Sequence, residues 1–103
     1  MAGTKVATSH RSLIRLQRLS KARHELELSR LALQMIAIDD ENDTLLKMLD
    51  DRFGPAASLV PVSIILKRIG TNTMLQTRLA QRIDTKKADL LKTSRTLDLL
   101  CSR

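Results

Sequence analysis

One short island of helix-breaking residues divides the chain into two long stretches of helical periodicity. The island runs from Gly54 and Pro55 to Pro61, and roughly forty residues on each side repeat apolar side chains every three or four positions. Gly54 can adopt the left-handed conformation that ends a helix, Pro55 cannot continue one, and Pro61 suits the first turn of the next. The layout therefore predicts two long helices.

The predicted architecture is all-α, an antiparallel two-helix coiled-coil hairpin in a single domain. Helix 1 is expected over residues 10–53, the connecting loop over 54–61 and helix 2 over 62–102, after a frayed N-terminus at 1–9. A connection of about eight residues between long helices favours antiparallel packing. Because two helices bury little surface, dimerisation to a four-helix bundle is a further arrangement that the pattern allows.

Helix 1 carries two apolar stripes that point in nearly opposite directions. The first comprises Leu13, Leu16, Leu19, Ala22, Leu26, Ser29, Leu33 and Ile36. The second comprises Leu28, Leu31, Met35, Ile38, Asn42, Leu45 and Leu49. A single partner helix covers one seam, so the middle of helix 1 should contact more than helix 2. The alternative is one seam that drifts around the helix.

We therefore predict a partner-binding face on helix 1, covered by a second copy of the chain or by a groove on another protein. The residues predicted to form it are Leu28, Leu31, Met35 and Ile38.

Helix 2 has one heptad seam with several polar interruptions. Its twelve positions form two interleaved series, Val62, Ile69, Gln76, Ile83, Leu90, Leu97 and Ile65, Asn72, Leu79, Lys86, Thr93, Leu100. Polar residues in such a seam lower stability and can fix register and partner choice. Gly70 lowers helix propensity and Thr71 could cap a new helix, so both a continuous helix and a break at residues 70–72 are compatible with the sequence.

The chain is basic, and its charge is unevenly placed. Eighteen Lys and Arg against eleven Asp and Glu give a formal net charge of +7. Residues 1–30 hold seven basic and two acidic residues and residues 78–103 hold seven and three, whereas residues 31–77 hold four and six. The two basic segments meet in an antiparallel hairpin, so one end should attract anionic partners. The basic residues predicted to contact such a partner are Arg11, Arg15, Arg18, Lys21, Lys86 and Lys87.

No catalytic, cofactor or metal motif stands out, and we expect a protein that is not an enzyme and needs no cofactor. The chain lacks a phosphate loop, a nucleophile elbow and a dinucleotide fingerprint. His10 and His24 have no Cys or His neighbours at metal-ligand spacing and are expected to face solvent. The acidic run from Asp39 to Asp43 lacks the glycine of a calcium loop and is interpreted as a solvated helix face.

The remaining signals concern the setting and a second class of partner. Cys101 is the single cysteine, and no run approaches the ~20 apolar residues of a membrane span. Both observations favour a cytoplasmic protein. Nucleic acid or an anionic membrane surface is the alternative partner to protein, although Phe53 is the only aromatic residue available for base stacking.

The start of helix 1 has a family resemblance. Its Leu- and Arg-rich segment, Ser-Leu-Ile-Arg-Leu-Gln-Arg-Leu-Ser-Lys-Ala-Arg at 12–23, resembles the stalk and chaperone-escort proteins of bacterial flagellar and type III export, the FliJ/YscO-like group. The resemblance covers both helices in outline and rests on architecture and composition. It implies a coiled-coil hairpin that works with an export ATPase ring. The short chain, Gly70 and the proline-bounded loop depart from that family, and no functional residue is carried over.

Overall fold

Two long helices make up the fold. The structure is a computed structural model that describes the backbone of residues 2–51 and 60–102 and the side chains of residues 9–51 and 60–102. Helix α1 spans Ala2–Asp50 and helix α2 spans Val62–Cys101. The two helices pack against each other and the described residues contain no strand, which confirms the all-α helical hairpin.

The helix ends differ from the predicted boundaries. Helix α1 already begins at Ala2, whereas fraying was expected through residue 9. Residues 2–9 contain no proline, and extending an existing helix adds one hydrogen bond for each residue that is fixed. The predicted loop lies outside the described residues over 54–59. At its end, the Pro61 carbonyl accepts hydrogen bonds from the amides of Ile64 and Ile65 at 3.0 and 3.3 Å.

Helix α2 runs without interruption through residues 70–72, where the sequence was compatible with either a continuous helix or a break. The Thr71 hydroxyl donates to the Lys67 carbonyl at 3.1 Å, and the Thr73 hydroxyl donates to the Ile69 carbonyl at 2.9 Å. Thr71 is therefore an interior helix residue and not an N-cap. Because threonine hydroxyls can be satisfied by the preceding turn of their own helix, threonine here does not terminate it.

The seam of helix α2 follows the predicted heptad. Eleven of its twelve predicted positions are buried or half-buried, and Val62 at the start of the helix is exposed. Helix α1 has a matching series of buried or half-buried residues at alternating spacings of three and four. That series is His10, Ile14, Gln17, Lys21, His24, Leu28, Leu31, Met35, Ile38, Asn42, Leu45 and Leu49.

The chain divides into two compact units. Unit 1 combines residues 1–30 with 83–103, and unit 2 comprises residues 31–82. The most buried residues of unit 2 are Leu31, Ile65, Asn72 and Leu79, and those of unit 1 are Thr93 and Leu97. Unit 1 holds twelve basic and five acidic residues, whereas unit 2 holds six of each. The whole net charge of +7 therefore belongs to unit 1.

Candidate interaction surface

In unit 1, helix α1 covers polar side chains and exposes leucines. The half-buried seam positions include Gln17, Lys21 and His24. The exposed leucines, which we call the outer leucine row, are Leu13, Leu16, Leu19 and Leu26, with 49, 60, 49 and 54% of their surface accessible. Apolar surface gains free energy when it leaves water, by about 25 cal/mol per Å². This arrangement therefore leaves exposed the face of the helix whose burial would contribute more free energy.

Exposed arginines border and interrupt the outer leucine row. Arg11, Arg15 and Arg18, which we call the basic ridge, follow one another at spacings of four and three on one side of the row. At 100° per residue, the ridge lies roughly 60° around the helix from Leu19 and Leu26. A shallow groove of about 330 Å³ is lined by the ridge and Ile14.

Two further exposed arginines, Arg23 and Arg30, lie within the angular range of the row itself. Within residues 9–51 and 60–102, none of the five arginines between positions 11 and 30 forms an ion pair. Long arginine stems can cover apolar surface while the guanidinium stays in water. These five cations are therefore available to an acidic partner.

The predicted apolar binding residues do not form this face. Leu31 is 1% exposed and belongs to the buried seam, and its role in partner binding remains a prediction. Leu28, Met35 and Ile38 are half-buried at seam positions, and their role in partner binding remains a prediction. Ile38 also lines a groove of about 540 Å³ in unit 2, together with Gln34, Ala37, Leu75, Arg78, Leu79 and Arg82.

The predicted basic residues divide between open surface and seam. Arg11, Arg15, Arg18 and Lys87 are exposed, whereas Lys21 and Lys86 are half-buried at seam positions of α1 and α2. All six belong to unit 1.

Residue Lys21 also lines a groove in unit 1. The groove has a volume of about 350 Å³ and is lined by Arg18, Lys21, Ala22, Glu25, Leu97, Asp98 and Cys101. The walls of this groove therefore carry charges of both signs.

The sequence contained a signal for the correct seam. Continuing the second apolar stripe towards the N-terminus at spacings of four and three leads from Leu28 to His24, Lys21, Gln17 and Ile14, the positions that the structure covers. The signal is weak because three of the four residues are polar. Both histidines, His10 and His24, are half-buried, which corrects the prediction that they face solvent.

Unit 2 contains a cluster of polar side chains that links its two helical segments. Arg68 forms a two-pronged contact with Glu41, Nε to Oε1 and Nη2 to Oε2, the latter at 3.2 Å. Asn72 Nδ2 donates to Asn42 Oδ1 at 2.9 Å and to Glu41 Oε1 at 3.2 Å. Gln76 donates to Asp39 Oδ1 at 2.6 Å. These pairings run in opposite directions along α1 and α2, as antiparallel packing requires.

Asn72 is the buried centre of this polar cluster. Its side chain is fully buried, and its Oδ1 atom has no hydrogen-bond partner among the described residues. The hydrogen bonds from Arg68 and then Asn72 lower the pKa of Glu41, while burial opposes them slightly. The cluster fixes which residues of the two helical segments face one another.

Two other kinds of site are not found in the part of the chain that the structure describes. No group of three or more His, Cys, Asp or Glu side chains could hold a metal ion there. No helix among these residues has the length and apolar character to cross a membrane. Comparison of the chain with protein-family models, with curated proteins and with solved structures found no match.

Proposed function

We propose that this protein is a non-catalytic helical interaction module that binds another protein through the outer face of helix α1. The observation that carries the proposal is the inverted burial in unit 1, where Gln17, Lys21 and His24 are half-covered and the outer leucine row is open. Isolated surface leucines are common, but a row of them along one helix face is typical of an interaction site. Another helix lying along the row would cover them.

The resemblance of residues 12–23 to export proteins suggests a specific form of this role. In that form the hairpin is a cytoplasmic stalk or chaperone adaptor that works with an export ATPase. Binding of the purified chain to the ATPase subunit of its host would support this form, and the absence of binding would leave the general role standing.

The experiment that tests the general role places a photo-crosslinking amino acid at Leu16 in the native host. We expect adducts of Leu16 with another protein. The matched control is the same amino acid at Ala88, which is exposed on α2 of unit 1 and away from the row. No adduct at Leu16, or equal adducts at both positions, would contradict the proposal.

A second candidate is a basic helical protein that binds nucleic acid or an anionic membrane surface. The observation that favours it is the confinement of the whole net charge of +7 to unit 1. Phosphate contacts make affinity fall steeply with salt. Titration with random duplex DNA and with anionic vesicles at 50 mM NaCl tests it, and the absence of binding to both would remove it.

A further inference from the structure

We infer that the element bound by unit 1 is an amphipathic helix of another protein, with apolar side chains along one face and Asp or Glu along the flank that meets the basic ridge. This inference rests on the proposed function and names the chemistry of its partner. The outer leucine row runs from Leu13 to Leu26, which corresponds to ~20 Å along the helix axis. A partner helix of roughly four turns matches that length.

The chain exposes more surface than a compact monomer of the same mass would. It amounts to 8038 Å², whereas a compact monomer of this mass exposes about 5,800 Å². The excess of roughly 2,000 Å² is larger than the ~800 Å² that each partner buries in a specific protein interface of standard size.

Charge decides against a second copy as the occupant of this face. Unit 1 carries the full net charge of +7, and the exposed residues around the row include five arginines without ion pairs among the described side chains. Two copies that met along the row would place these cations close together, and like charges across an interface oppose association. A helix with carboxylates on its flank would pair with the ridge instead, because guanidinium and carboxylate form two-pronged hydrogen bonds.

The composition of the face argues against a lipid surface. Helices that lie in a membrane interface keep Lys and Arg on the polar face and Trp, Phe or Leu on the apolar face. Here Arg23 and Arg30 fall within the row, and the described part of α1 contains no aromatic residue. A protein helix can place its own carboxylates opposite such arginines.

The test measures binding of two labelled synthetic helical peptides by fluorescence anisotropy at 50 mM NaCl. Both have leucine at the a and d positions of three heptads; one has glutamate at the flanking positions and the other has lysine. We expect the glutamate peptide to bind at least about tenfold more tightly. The double variant Leu16→Gln/Leu19→Gln should lose about tenfold or more of that affinity, because it removes the apolar contact.

A charge swap tests whether the basic ridge contacts the flanking charges of the bound peptide. The variant Arg15→Glu/Arg18→Glu should bind the glutamate peptide more weakly and the lysine peptide more tightly than the wild type does. The matched control Lys92→Glu/Arg95→Glu changes the net charge equally at exposed positions of α2 in the same unit and should change both affinities by less than about threefold.

Four results would overturn the inference. The first two are equal affinity for the two peptides and an effect of the control variant equal to that of the charge swap. The third is tighter binding to vesicles with 30% phosphatidylglycerol than to the glutamate peptide, if the leucine variant abolishes that binding. The fourth is a stable dimer in light scattering that the leucine variant dissociates. Crosslinking at Leu16 together with failure of the glutamate peptide would refute the acidic helix alone. Failure of both experiments would refute the proposed function as well.

Discussion

Single residues of helix α2 show how local preference yields to the packing of the whole helix. Gly70 and the threonines at 71 and 73 favour interruption of a helix when they are considered alone. In the structure the hydroxyls of Thr71 and Thr73 donate to carbonyls one turn earlier, and the helix continues. The buried residues Ile65 and Asn72 on either side hold it in place.

Gly70→Ala should raise the free energy of unfolding by about 0.5–1 kcal/mol. Alanine reduces the conformational entropy of the unfolded chain, and a Cβ atom at residue 70 would meet nothing within 4 Å. Chemical denaturation followed by circular dichroism measures the change. The matched variant Ala80→Gly, at another exposed position of α2, should lower stability by a similar amount. Destabilisation by Gly70→Ala would show that residue 70 does not have helical backbone geometry.

Glu41 should make stability depend on pH in the acidic range. Its pKa in the folded protein is lowered below the ordinary value of 4.5 by hydrogen bonds from Arg68 and Asn72. The resulting stabilisation is present above pH 4.5 and is lost as the pH falls through the lowered folded value. Denaturation of the wild type and of Glu41→Gln between pH 7 and pH 2.5 should give curves that converge at low pH.

The variant Arg68→Gln checks the cause of this pH dependence. It removes the guanidinium that most lowers the pKa of Glu41. Its pH profile should therefore approach that of Glu41→Gln, and a profile identical to the wild type would contradict the assignment.

At the scale of whole helices, the packing face of α2 can be predicted from its sequence much better than that of α1. The seam of α2 could be predicted almost completely because its apolar residues lie on one face. Helix α1 has apolar residues on two faces, and hydrophobicity does not say which face meets the other helix. The seam there includes Gln17, Lys21 and His24, whereas the outer leucine row is left exposed. The fold class was therefore predictable, whereas the face of α1 that packs against α2 was not.

Asn72→Leu should stabilise the hairpin by about 1 kcal/mol and make its register and oligomeric state less specific. The change removes a buried oxygen without a hydrogen-bond partner, and the freed acceptors on Glu41 and Asn42 are only half-buried and can reach water. Polar side chains at single seam positions fix register and oligomeric state, so the variant should populate other assemblies. Denaturation measures the first effect and multi-angle light scattering the second.

The seam residue Thr93 provides the control for Asn72. Its hydroxyl donates to the Asp89 carbonyl of its own helix at 3.0 Å and links no second helix. Thr93→Val should therefore leave the oligomeric state unchanged. If both variants assembled alike, register would not depend on the Asn72 amide.

At the scale of the whole molecule, electrostatic repulsion is concentrated in one of the two units. Unit 1 has twelve basic and five acidic residues, and unit 2 has equal numbers of each. Net charge of one sign destabilises a compact state through self-repulsion. The same charge that would attract an acidic partner should therefore weaken unit 1 when no partner is bound.

Added salt should raise the thermal stability of the free protein. Between 50 and 500 mM NaCl we expect the melting temperature to rise by roughly 4 °C, because screening weakens repulsion among exposed charges. Arg15→Gln/Arg18→Gln lowers the net charge of +7 by two and should reduce the rise. A melting temperature that fell with salt would show that attractive pairs, such as Glu41 with Arg68, dominate.

The division into units also sets an order of folding. The cross-helix hydrogen bonds of unit 2 close chain segments of 27 to 37 residues, whereas residues 30 and 83 of unit 1 are separated by all 52 residues of unit 2. The entropy cost of loop closure grows with length, so unit 2 should form first and unit 1 last. Substitutions at Leu97 should then mainly accelerate unfolding, and those at Leu79 should slow folding. We therefore expect unit 1, which carries the net charge and the outer leucine row, to be the last part of the chain to form during folding.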